Sequence, residues 1–284
     1  MNQQQTRRKR VARTVVVSRT EWIAPSMVRV IFTGDDLRQL PELEFTDHYV
    51  KILFPPAGAD YRWPFDPEAL RESEPAELWP VTRTYTIRSY DPDSNELAID
   101  FVVHGDEGLA GPWAAAAQAG DQLGFYGPGG AYAPDPAADA HLLVGDEAAI
   151  PAIAAALERL APDARAHVYL EVANATEELP LRQTANTTVS WVHRDSDGSD
   201  YGVQLARTVR AAGLPEGRVQ VFVHGNAYLV RDLRRYLFVE LGIDRSQASI
   251  SGYWRTEYSE DRWQSTKGQF VQEMEAAEQA ALVS

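Results

Sequence analysis

Arg83-Thr84-Tyr85-Thr86-Ile87-Arg88 is the stretch whose reading decides the fold. It alternates in strand fashion, so Arg83, Tyr85 and Ile87 face one way and Thr84, Thr86 and Arg88 the other. A cation, an aromatic ring and a hydroxyl set close together on one strand can hold a flavin. The cation meets the pyrophosphate, the ring stacks, and the hydroxyl lies near the redox-active nitrogen. A second signal follows at His104-Gly105-Asp106-Glu107-Gly108-Leu109-Ala110-Gly111-Pro112-Trp113. Its glycines expose backbone N–H groups ahead of a helical run from Trp113 to Gln118, an arrangement that can cradle a diphosphate. Either segment alone also fits an exposed strand or a simple turn. In this order the two point to FAD.

Working outward, residues 11–133 predict mainly strands: Val11–Thr20, Met27–Thr33, His48–Phe54, Thr82–Tyr90, Glu96–His104 and Gln122–Tyr126. Six strands with one short helix suggest a closed antiparallel barrel. Between the third and fourth, Pro55–Pro80 carries six prolines and several acids and predicts a long loop. The character changes at a Pro/Ala/Asp linker, Ala131–Asp139. Beyond it, strands at His141–Gly145, Ala166–Val172, Thr188–His193, Val219–His224 and Ser249–Trp254 alternate with helices at Ala148–Leu160, Tyr201–Ala212 and Tyr228–Leu241. Such alternation predicts a parallel sheet covered on both faces, with ligands beyond the carboxyl ends of its strands. Glu260–Ala281 predicts an amphipathic helix with Phe270, Met274 and Ala277 on one face. The fold class is therefore a β barrel plus α/β. Residues 1–133 form an FAD-binding domain, 134–255 a nucleotide-binding domain and 256–284 a helical extension.

Composition narrows the function. The 284 residues and 28 aromatics (9 Phe, 7 Trp, 12 Tyr) suffice for two cores. The absence of cysteine excludes a disulfide framework, a thiolate iron–sulfur cluster and a catalytic thiol, and fits a cytoplasmic protein. No apolar run is long enough to span a membrane, and the basic N-terminus has no apolar segment after it, so neither membrane insertion nor a secretory signal is expected. Six basic residues and no acid fall in residues 1–20, which leaves −20 for the remainder. That balance argues against nucleic-acid binding, and the basic run reads as a solvated tail. The histidines at 48, 104, 141, 167, 193 and 224 lack metal-ligand spacing, so no protein-bound metal is expected.

A strand-rich flavin domain ahead of a parallel α/β domain resembles the ferredoxin–NADP reductase superfamily. More narrowly, the chain resembles the siderophore-interacting protein family, flavin-dependent ferric-siderophore reductases. The resemblance rests on Asp47–Pro55, Arg83–Arg88, Asp100–Gly105, Gly108–Ala114, Gly127-Pro128-Gly129-Gly130, Leu142–Ile153 and Ser251-Gly252-Tyr253-Trp254-Arg255. The resemblance implies that Arg83, Tyr85 and Thr86 bind FAD, with Tyr85 against the flavin and Thr86 near N5. Val102 and His104 would border its ribityl and adenine portions, and Gly108, Leu109, Gly111, Pro112 and Trp113 would wrap its pyrophosphate. The nicotinamide nucleotide would cross Gly145, Asp146, Glu147 and Ala149, then Gly225, Asn226 and Tyr228, with Tyr253 and Trp254 nearby. Asn226 stands where a Glu is usual, and Gly129 where some relatives carry a basic residue.

The implied activity passes electrons from NADPH or NADH through FAD to a ferric siderophore, with no protein acid or base acting on the iron. Lys51, flanked on its own face by Tyr49 and Leu53, is the substrate-side candidate; an edge-strand lysine is the plain alternative. Arg255 is a second candidate, for the nicotinamide or the chelate. Arg194 follows a strand and could read a 2′-phosphate, which favours NADPH, although Glu171, Arg182 and Arg207 leave the choice open. Asp146 and Glu147 read as acids at a helix N-terminus, or as groups shaping the nicotinamide end. Two other functions stay open: a general flavin reductase or electron-transfer module for a protein partner, and a non-catalytic siderophore-binding protein.

Overall fold

The structure, a computed structural model, describes residues 11–105, 108–196 and 198–283. Arg7, Arg8, Lys9 and Arg10 of the basic run, and Asp106-Glu107 of the glycine-rich turn, lie outside the described residues.

Six strands close a barrel: β1 (Arg13–Ala24), β2 (Met27–Thr33), β3 (Tyr49–Phe54), β4 (Val81–Asp91), β5 (Glu96–Val102) and β6 (Gln122–Gly129). They pair antiparallel in the order β1-β2-β5-β4-β3-β6. The period-two pattern fills the interior: Val28, Val30 and Phe32 of β2 meet Val50, Ile52 and Phe54 of β3 in one apolar cluster. Neighbouring Thr86 and Ile87 of β4 are both buried because they face opposite sides, Ile87 the barrel core and Thr86 the Tyr253 side chain of the second domain. The Pro-rich segment is not all loop. It contains α1 (Pro67–Ser73), capped by Asp66, and is anchored by Trp63, whose ring lies where a Cβ on Gly124 would stand.

The second half forms a parallel sheet of β7 (Ala140–Asp146), β8 (Ala166–Val172), β9 (Thr187–His193), β10 (Val219–Asn226) and β11 (Ala248–Trp254), in the order β11-β10-β7-β8-β9. Successive residues of β7 serve opposite cores. Leu143 packs with Phe222, Val168 and Leu170, whereas Leu142 and Val144 pack with Val221 and Val223. The former face is covered by a helix, Ile150–Arg159, and the latter by Val203–Ala212 and Ala227–Arg235. Ala110–Ala116 in the barrel domain is α2, so these three are α3, α4 and α5, and Glu260–Val283 is α6. The chain leaves β7 toward β8 on one side and returns to β10 on the other, so the switch point lies between β7 and β10.

The buried stripe of α6 is Trp263, Phe270, Met274 and Glu278, while Ala277, placed on that face by the sequence, is exposed. The sequence hides this stripe because polar residues interrupt it. Glu278 is buried because Arg234 of α5 and Arg245 both pair with it. Barrel and sheet are joined by Arg88–Glu158 at 2.5 Å and by the Ser26 N–H and hydroxyl, which donate to Glu177 at 3.0 and 2.8 Å.

Candidate flavin and nucleotide site

The barrel turns the outer face of β3 and β4 toward the carboxyl ends of β7, β10 and β11. In register, Tyr49 lies opposite Thr86, and Lys51 opposite Thr84. Val50 and Ile52 point into the barrel, so Tyr49 and Lys51 point out of it. Thr86 is buried against Tyr253 of β11, which is within hydrogen-bonding reach of its hydroxyl. Tyr253 continues into an aromatic row: its ring is edge-on to His224 at 5.0 Å, and His224 stacks on Phe222 at 3.8 Å. Burial holds the His224 imidazole down to about 3, so it is neutral.

Arg83 occupies a second region of the same strand. Its guanidinium, 12% exposed, donates two hydrogen bonds to Asp261 at 2.9 and 3.0 Å and lies 3.8 Å from Glu260. Both carboxylates belong to the first turn of α6, which the sequence did not connect with this strand. Glu260 also accepts the Thr84 N–H at 3.0 Å. Tyr85 packs on Phe101 at 4.4 Å. Helix α2 spans Ala110–Ala116, beginning three residues before the run expected from Trp113, and Trp113 packs on Phe32, Phe54 and Phe101 at the barrel end.

These residues fit an FAD. Gly105 and Gly108 have φ of +56° and +81°, with nothing within 4 Å of where a Cβ would stand. The backbone there is open, next to Leu109 at the start of α2, where no side chain caps the helix N–H groups. Gly111 lies against the Val102 carbonyl, which a Cβ would approach to 3.1 Å. His104 is exposed at the end of β5 beside this turn. Arg83, the cation expected to meet the pyrophosphate, is paired in the structure with Asp261 and Glu260 of α6.

The loops at the carboxyl ends of β7, β10 and β11 are interlocked by Asp146, which is 2% exposed. Its carboxylate accepts the Asn226 N–H at 2.7 Å, the Trp254 indole N–H at 2.8 Å and the Ala148 N–H at 3.1 Å. The ends of β7, β10 and β11 are thus tied to one group. Burial, and then Glu147, push this carboxyl up to about 7 despite those donors. Two glycines make the clamp possible. A Cβ on Gly225, at φ +130°, would lie 2.6 Å from the Asp146 carboxyl, and one on Gly145 would lie 2.4 Å from Ala149 Cβ. Asn226 caps α5 by accepting the Tyr228 N–H at 2.8 Å.

Arg194 is 10% exposed and meets Glu147 at 2.5 Å and Glu171 at 3.4 Å, with its guanidinium 4.2 Å from the centre of the Tyr201 ring. Burial works against its charge, but the two carboxylates outweigh burial and raise its pKa. Arg255 is engaged by aromatic residues of α5 and the segment before α6. It donates to the Tyr228 hydroxyl at 3.2 Å and lies over the Tyr258 ring at 4.2 Å. Tyr49 takes the place of the cation missing at Gly129, since a Cβ there would lie 2.7 Å from the Tyr49 ring. The sequence also missed Lys267 of α6, whose Nζ donates to Ser251 Oγ of β11 at 3.2 Å.

Residues 16–132 match the siderophore-interacting FAD-binding domain family, and residues 138–257 the siderophore-interacting protein family. The chain belongs to the siderophore-interacting protein family. The chain is 34% identical over 255 residues to the ferric vibriobactin reductase of Vibrio cholerae, covering 86% of this chain and 90% of that one. It is 28% identical over 250 residues to the NADPH-dependent ferric-chelate reductase of Escherichia coli, covering 85% and 92%. The crystal structure of the siderophore-interacting protein SipS from Aeromonas hydrophila superposes with a TM-score of 0.79 at 28% identity, covering 93% and 99%. The barrel-then-sheet order is also that of ferredoxin–NADP+ reductase. As a member of this family the chain is an FAD-containing, NAD(P)H-dependent oxidoreductase, with the barrel as its flavin domain.

Proposed function

We propose that the protein reduces siderophore-bound ferric iron in the cytoplasm, taking electrons from NADPH or NADH and releasing ferrous iron. The observation that carries this reading is the meeting of two faces. The outer face of β3–β4, with Tyr49, Lys51 and Thr86, abuts the aromatic end of β11, the strand beside β10 at the switch point of the sheet. A donor nucleotide and a flavin placed at those two faces would come into contact. The relatives named for ferric-chelate reduction support the choice of acceptor.

The bound FAD supplies the conversion of a two-electron hydride donor to a one-electron acceptor. The residues of the chain bind and orient. Arg83 and the backbone at Gly105 and Gly108 would hold the pyrophosphate. Thr86, fixed by Tyr253, would present its hydroxyl to the flavin edge. Asp146 holds the three nucleotide loops in one arrangement, so the donor meets a preformed surface. Lys51 offers a positive charge to an incoming chelate. Ferric iron is held by hard oxygen donors that bind ferrous iron far more weakly, so reduction is itself release.

An absorption spectrum tests the reading. The purified protein should show an oxidised flavin that bleaches anaerobically with NADPH or NADH and returns on adding a ferric chelate. A flavin that bleaches but is not reoxidised by any ferric chelate would end it.

A further inference from the structure

We propose that Glu147 and Glu171 select NADH over NADPH as the electron donor, by withholding Arg194 from a 2′-phosphate. This rests on the reductase reading above and names the donor of that same site. It reverses the expectation drawn from Arg194 alone, which favoured NADPH.

The edge in question lies beyond the carboxyl ends of β8 and β9. In dinucleotide-binding sheets an acid near such an edge suits the free ribose of NADH, and an available arginine suits the 2′-phosphate of NADPH. This protein has both, since Glu171 falls in the last turn of the β8 backbone and Arg194 directly follows β9. The structure shows which one prevails. Arg194 donates to both oxygens of Glu147, from Nη2 at 2.5 Å and Nη1 at 3.1 Å, and from Nη1 to Glu171 at 3.4 Å. The Tyr201 ring covers its guanidinium at 4.2 Å. Glu171 is itself fixed, because it accepts the Gly202 N–H at 2.9 Å at the start of α4. The side chains of Arg194, Glu147 and Glu171 are 10%, 8% and 1% exposed.

To meet a phosphate, Arg194 would have to leave two buried carboxylates without their cation. Breaking a buried pair costs more than one new charge-assisted contact returns. The surroundings add to the bias. Two carboxylates against one guanidinium leave the cluster negative, and Asp195, which accepts from Asn174 Nδ2 at 3.3 Å, adds a further charge between the ends of β8 and β9. A 2′-phosphate is repelled there, whereas a ribose hydroxyl is not. Other arginines do not take the place of Arg194. Arg182 donates to the Leu157 and Glu158 carbonyls at the end of α3, and Arg207 lies on the exposed side of α4. Arg231 and Arg235 line a cavity of about 890 Å³ between α4, α5 and α6, but Asp200, Asp232, Glu257 and Glu273 line it with them.

The test uses FAD-loaded full-length protein and titration calorimetry with NAD+ and NADP+, which bind without turnover. Wild type should bind NAD+ about tenfold more tightly than NADP+. Glu147→Gln keeps an acceptor for Arg194 but removes the charge that holds it, so the ratio of the NADP+ to the NAD+ dissociation constant should fall about tenfold. A purely structural role for Glu147 would weaken both nucleotides together and leave that ratio where it was. Should Glu147→Gln fail to fold, Glu171→Gln carries the test, since its amide oxygen still accepts the Gly202 N–H, and the ratio should fall in the same direction. Wild-type protein that binds NADP+ as tightly as NAD+ or more tightly overturns the proposal, and so does an unchanged ratio in the variant. Anaerobic bleaching of the flavin keeps the two readings apart. If NADPH bleaches it as well as NADH and a ferric chelate then reoxidises it, the inference fails with the reductase reading intact. A flavin that neither nucleotide bleaches overturns both.

Discussion

Replacing Arg83 with alanine separates its two claimants. In the structure the guanidinium makes a bidentate pair with Asp261, a carboxylate 61% exposed, and stands 3.8 Å from Glu260. Losing a pair with so exposed a partner should cost the fold only about 0.2–1 kcal/mol. Glu260 keeps the Thr84 N–H but loses its cation, so its raised pKa should rise further. The cofactor should feel far more. A charge-assisted contact to a pyrophosphate is worth about 1.5–3 kcal/mol, which makes FAD affinity fall about 10- to 150-fold. Asp261→Asn should act in the opposite direction, because it frees Arg83 and removes a negative charge from the pyrophosphate's side, tightening FAD by up to about fivefold. Both constants can be measured by titrating apoprotein with FAD and following the quenching of flavin fluorescence, with urea midpoints recorded alongside. Unchanged FAD affinity in Arg83→Ala, together with a lowered urea midpoint, would show that Arg83 only docks α6 and that the pyrophosphate is held elsewhere.

Three further outcomes are expected. Gly225→Ala puts a Cβ 2.6 Å from the Asp146 carboxyl on a backbone at φ +130°, so it should lower stability by about 1–3 kcal/mol and weaken NADPH and NADH together; an unchanged urea midpoint would mean the loop shifts freely. The Asp146 carboxyl is raised to about 7 in the folded protein from an ordinary 3.8, so the folded state binds the proton more tightly. Its contribution should therefore fall as pH rises from about 4 through about 7 and level off above, by at most about 4 kcal/mol. The wild-type advantage over Asp146→Asn, measured by urea unfolding at pH 5 and pH 8, should be smaller at pH 8, and equal values would contradict the assignment. Arg194→Ala leaves Glu147 and Glu171 without their cation and should cost about 3–5 kcal/mol of stability. It should weaken NADPH and NADH alike; a loss confined to NADPH would instead show that Arg194 reads the 2′-phosphate.

Much of this protein is legible in the sequence because the deciding patterns are local. The outward placement of Tyr49 and Lys51 follows from period-two alternation, since Val50, Ile52 and Phe54 must enter the barrel. The parallel sheet follows from strands that alternate with helices, and the ligand edge follows from the sheet. Glycines 145 and 225 mark where backbone and side chains crowd at that edge. What the tertiary structure decided are contacts between distant residues that no periodicity encodes. Arg83 and Asp261 are separated by 178 positions, and Asp146 and Trp254 by 108. Helix α6 shows the physical reason most plainly. Its inward stripe includes Lys267 and Glu278, residues that an apolar pattern assigns to solvent. They lie inward because Ser251, Arg234 and Arg245 wait on other elements to satisfy them, and those partners exist only once the chain has folded.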